Sequence, residues 1–185
     1  MSIIAQARSR VLKADLGSPA LGGIADVHAA VTDDGTEQTI TAGITNPPTT
    51  RNVTATSGGT AGDIKAIQVT VNGTDANGDA LTEVLPVFTV NTATTVVGSK
   101  AFATVTSIVI PAHDGTGATT SLGLGAKLGV GVALARDTIV NAYFGGVLEG
   151  TRPTVVFNAT DIESNTVDLN SALDGSAVIV DYYLP

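Results

Sequence analysis

The alternation of apolar and polar positions is the strongest signal in the chain. Ile67, Val69 and Val71 alternate with Gln68, Thr70 and Asn72, the period-two pattern of a strand with one apolar and one wet face. Behind it, Asp75-Ala76-Asn77-Gly78-Asp79 holds an Asn-Gly pair suited to a tight turn. A second strand then returns from Leu81 towards Val90. Pro86 lies inside this return and cannot donate to a ladder, so the strand is expected at a sheet edge or bent there. Similar β-branched runs, bounded by Gly, Asn, Asp and Pro, predict strands over 24–32, 38–44, 51–56, 64–72, 80–90, 104–110, 127–134, 138–144, 153–159, 165–169 and 177–184.

Their number and spacing predict a mainly β fold: an antiparallel β-sandwich, jelly-roll or Ig-like, with a short N-terminal arm or helix. Only residues 1 to about 16 have a composition that favours helix, and Gly17-Ser18-Pro19 and Gly22-Gly23 end it. The expected organisation is an arm over 1–22, a sandwich over 23–136, and a C-terminal β segment over 137–185, within the sandwich or as a small second module. On this division, a chain lacking residues 1–16 keeps a folded β-domain. The Gly-rich stretch 123–131, with Leu122, Leu124, Leu128 and Val130 interleaved, reads as a strand whose missing side chains admit another backbone, a neighbouring subunit being one occupant.

Composition turns this outline towards assembly. Charged residues make up 14% of the 185 residues and hydrophobic ones 43%, against about 25% charged in an average soluble domain. Surface so poor in charge is expected to be covered by other subunits, in a homo-oligomer or a larger particle. The net charge of −8 argues against nucleic-acid binding, which needs clustered cations. Arg8, Arg10 and Lys13 are the exception: no acid precedes Asp15, so the first 13 residues carry +3 and the remainder −11. This isolation marks them as candidate partner-binding residues. Cysteine is absent, which excludes disulfides, thiolate metal sites and a cysteine nucleophile. Neither an export signal nor a membrane-length apolar span is apparent, so no membrane role is expected. The Asn72-Gly73-Thr74 sequon would then stay unglycosylated.

The sequence carries little that points to chemistry. Gly123-Leu124-Gly125 and Gly129-Val130-Gly131 do not complete a nucleotide-binding loop, and no Gly-Lys-Ser/Thr follows them. Asp75 to Asp79 spaces oxygens like a calcium loop, but Pro86 stands where a bidentate Glu is required, so a plain turn is expected. His28 reads as a half-buried strand residue and His113 as the decoration of a turn. Neither has a patterned partner, and no Gly-x-Ser-x-Gly elbow is present. No catalytic, metal or cofactor-binding residue is assigned, and the chain is expected not to be an enzyme.

One resemblance adds a setting. Ile44-Thr45-Asn46-Pro47-Pro48, Arg51-Asn52-Val53-Thr54 and the run Asp63 to Thr74 resemble a module of tailed-bacteriophage structural proteins. So do Leu81 to Pro86, Gly98-Ser99-Lys100-Ala101-Phe102 and Val105 to Gly117. The resemblance spans about residues 40 to 125 and implies a virion β-module without catalytic residues. It further implies the major capsid protein or other virion subunits as partners, and assembly in the host cytoplasm. A head decoration or cement protein is the leading expectation; a tail, collar or head-fibre component, or a glycan-binding adhesin module, are the alternatives. Trp is absent and only Tyr143, Tyr182 and Tyr183 could offer a phenol ring to a sugar.

Overall fold

The computed structural model describes residues 10–184, and the chain is built almost entirely of antiparallel strands. In chain order these are β1 (Val11–Asp15), β2 (His28–Thr32), β3 (Gln38–Ile40), β4 (Arg51–Gly59), β5 (Thr70–Thr74), β6 (Ala80–Val84), β7 (Thr95–Phe102), β8 (Thr104–Ile110), β9 (Ala118–Gly129), β10 (Ile139–Phe144), β11 (Val147–Leu148), β12 (Thr154–Val156), β13 (Thr166–Asp168) and β14 (Val178–Tyr183). Two single 3-10 turns, Ala61–Asp63 and Ile162–Ser164, are the helical elements of the described chain.

Three sheets result. The largest runs β12-β13-β9-β4-β7, with β2 also paired to β9; a second runs β3-β8-β5-β6; the third runs β1-β14-β10-β11. The first two enclose one core, in which Val53, Ala55, Leu122 and Leu124 meet Val69, Val71, Leu85, Ile108 and Phe102. This is the expected β-sandwich. Its hairpin follows the pattern read from the sequence: Thr70 pairs with Val84 and Thr74 with Ala80. Gly78 takes the positive φ of 87° that the turn requires, and β6 is the edge strand, ending two residues before Pro86.

A second core lies between the third sheet and the far end of the first, where Leu128, Val130 and Val167 meet Ala142, Val178, Val180 and Tyr182. β9 belongs to both cores. Its first half pairs with β2 and its last residues with β13, while β4 accompanies it throughout. The cores part at Asn52, where both neighbours of β4 bulge. The register jumps from Ala101 to Val97 on β7 and from Leu128 to Leu124 on β9, and such bulges bend a strand and re-aim its side chains. Asn52 is fully buried. Its Nδ2 donates to the Gly98 carbonyl at 2.8 Å, and its Oδ1 accepts from the Lys127 amide at 2.9 Å, so one side chain pins both bulges. From the other side, the buried Glu83 carboxylate accepts from the Ser99 amide at 2.6 Å and the Lys100 amide at 3.3 Å.

Two expectations need correction. Residues 11–15 are not a free arm: β1 is a strand of the C-terminal sheet, with Leu12 and Ala14 packed on the second core and Leu16 buried within it. The second module is therefore assembled from both ends of the chain, not from 137–185 alone. The Gly-rich stretch does lie in a strand approached by backbone, but its occupant is the chain itself. A Cβ on Gly123 would fall 2.1 Å from the Gly23 carbonyl oxygen, and one on Gly125 would fall 2.2 Å from the Asn52 amide.

Candidate partner-binding face

Of the three basic residues singled out in the sequence, Arg8 lies outside the described residues. Arg10 is exposed and immediately precedes β1. Lys13 points outward from β1, because residues opposite one another in a ladder share a face and Lys13 stands opposite Asp181. Its Nζ donates to Asp181 Oδ1 at 3.0 Å and sits 5.4 Å from the centre of the Tyr143 ring. Asn141 donates to the other carboxylate oxygen at 3.3 Å. Bonding to Lys13, and then to Asn141, holds the Asp181 carboxyl below the usual carboxylate range.

This row divides the outer face of the C-terminal sheet. On one side stand Val11 and Tyr183; on the other, Asp15, Ile179, Tyr143 and Leu148. Val11 is 62% exposed and Leu148 54%. Arg136, which carries no sequence signal, stacks its guanidinium 5.8 Å from the centre of the Tyr183 ring. Among the described residues neither Arg10 nor Arg136 has an ion-pair partner. The face thus combines aliphatic residues, two tyrosines and arginine, the composition enriched at protein contacts. The open edge of β1 carries Lys13, which discourages pairing with another strand.

Most of the buried ionisable groups are bonded within the chain, largely to its backbone, whereas the buried Thr49 and Thr138 hydroxyls have no partner. His113 does not decorate a turn; it is buried. Its Nδ1 accepts from the Lys65 amide at 3.2 Å, which leaves Nε2 to donate to Thr120 Oγ1 at 3.0 Å, and its ring stacks on Phe88. Burial pushes its pKa below the ordinary imidazole range, with Asp33 and Asp114 pulling the other way. Asp33 accepts from the His113 and Gly35 amides, both at 2.9 Å. Asp75, the first residue of the calcium-like run, accepts from the Asn77 and Asp79 amides at 2.8 and 3.0 Å, as an Asx turn does. His28 is half-buried as expected, its Nδ1 donating to the Ala29 carbonyl. Among the described residues no three His, Asp or Glu side chains are placed to share a metal ion.

Arg51 is the largest fully buried side chain. It donates from Nη1 to the Ala20 carbonyl at 2.9 Å and from Nε and Nη2 to the Gly125 carbonyl, fastening residues 17–27 across β9. Beside it a cavity of about 300 Å³ is lined by Leu21, Asp26, Pro48 and Leu124. Comparison of the chain with family models, with curated proteins and with solved structures gives no match.

Proposed function

We propose that this chain is a non-enzymatic structural component of a tailed-bacteriophage particle, a decoration protein that binds repeatedly on the head. One observation carries the reading: the buried His113, Asp33 and Asp75 are bonded within the chain, while aliphatic side chains stand exposed beside two half-buried tyrosines on the outer face of its C-terminal sheet. Val11 and Leu148 lie on that face, and Val140 and Val147 stand exposed on the same sheet's strands. Burying such surface is favourable by roughly 25 cal/mol per Å² before association entropy is subtracted. Many equivalent contacts then compensate for a modest single one. The sequence resemblance over residues 40 to 125 supplies the particle.

The test is to purify intact particles on a density gradient and quantify this chain against the major capsid protein by mass spectrometry. A stoichiometry comparable to the capsid protein supports decoration of the head. A far lower one moves the chain to the tail, collar or fibre, and absence from the particle overturns the reading.

A further inference from the structure

The two ends of the molecule differ in charge as well as in surface. At one end, the outer face of the C-terminal sheet presents Val11, Tyr143, Tyr183 and Leu148 together with Arg10 and Arg136, which lack carboxylate partners among the described residues; the exposed Asp15 and the Lys13–Asp181 pair share that face and leave it with a small positive excess. At the other end three loops converge: the His113 amide donates to Asp33, and the Asp114 amide donates to the Asp63 carbonyl at 3.0 Å. These loops carry Asp34, Glu37, Asp63 and Asp114, with Lys65 alone opposing them through its 3.3 Å contact to Asp114. Thr36 donates to Asp34 from both hydroxyl and amide, which lowers its pKa below the ordinary carboxylate range. β9 separates the ends. It begins at Ala118 beside the acidic loops and finishes at Gly129 in the second core, a span of roughly 35 Å at strand rise.

From this placement we infer that the outer face of the C-terminal sheet docks the acidic loop end of a second copy of the chain, a head-to-tail contact. The charges are complementary, and opposite charge guides both the encounter and the register of such contacts. The two patches are different surfaces, so the contact is heterologous, and repetition gives a ring or a filament. Lys13 on the β1 edge opposes the other homotypic route, edge-to-edge pairing about a twofold axis, most strongly in the register centred on it, where two lysines would come face to face. The inference rests on the assembly reading only in taking the chain to meet its own copies. A failure here leaves the particle experiment untouched.

Sedimentation velocity on the full chain at low and high salt tests it. Association is expected at low salt and is expected to weaken severalfold as salt screens the contact. The Arg10→Glu/Arg136→Glu variant should be monomeric, and so should Asp34→Lys/Glu37→Lys; all four positions are exposed, and circular dichroism checks that each variant folds. Mixing the two variants should restore association, since each supplies the patch the other has lost. A wild-type chain that is monomeric at low salt, an oligomer indifferent to salt, or variants that associate as wild type would each overturn the inference.

Discussion

At the scale of single residues, environment decides what one residue type does. The chain has Asn-Gly at 72–73 and again at 77–78. Asn72 sits in the β5 ladder with its side chain held by Ser107 and Thr82, whereas Asn77 is exposed in the turn. Succinimide formation needs the Gly amide nitrogen to attack the Asn side-chain carbonyl and expel ammonia, which a ladder position resists. On ageing, peptide mapping should find deamidation at Asn77 and little at Asn72. His113 gives the pH prediction. Its folded pKa is lowered, so below about 6.5 the unfolded chain binds more protons than the folded one, and stability falls as pH drops through that window. Urea titrations at stepped pH should show this loss, and His113→Gln should flatten it. Neither the burial of His113 nor its bond to Thr120 was legible in the sequence, because the Asp-Gly-Thr-Gly that follows has the composition of an open turn.

At the scale of elements, Asn52 is the most consequential side chain of the large sheet. Asn52→Ala would leave the Lys127 amide unpaired in the interior and the Gly98 carbonyl with the longer 3.4 Å bond from Lys127 Nζ, at a cost of about 2 kcal/mol. Denaturant unfolding would measure it, and a loss within error of zero would mean that the bulges hold themselves. The same feature explains which strands could be read in advance. The β5–β6 hairpin, β8, β10 and β14 announce themselves through alternating β-branched residues. The β7 strand lies outside the ranges expected for strands, and the first residues of β9, 118–122, precede the Gly-rich run that reads as one. Bulges interrupt their alternation, β9 opens on Ala118-Thr119-Thr120-Ser121, and residues 22–24 cross it closely at Gly123 and Leu124. The small polar residues that open β9 look, from composition alone, like the loop before it. The candidate face was half legible: Arg10 and Lys13 stood out by charge isolation, but Arg136, Tyr143 and Tyr183 reach it through pairings of strands far apart in sequence.

For the molecule as a whole, two cores share one strand, and the second draws on both ends of the chain. Removing residues 1–16 should therefore not leave the protein intact. It strips β1 and Leu16 from the second core and exposes β14. Hydrogen exchange on the truncated chain should show lost protection in β10 and β14 and retained protection in β4, β5 and β8. Equal protection throughout would mean that β1 is an ornament. The pairing of β1 with β14 also sets a timetable for synthesis. Lys13 and its partner Asp181 are 168 positions apart, so at ordinary elongation speed β1 waits about ten to thirty seconds for its neighbour to be made. The strands that enclose the first core are complete by Gly129, well before then. The C-terminal sheet is thus the last part of the fold to close, and it closes on one of the earliest strands to be made.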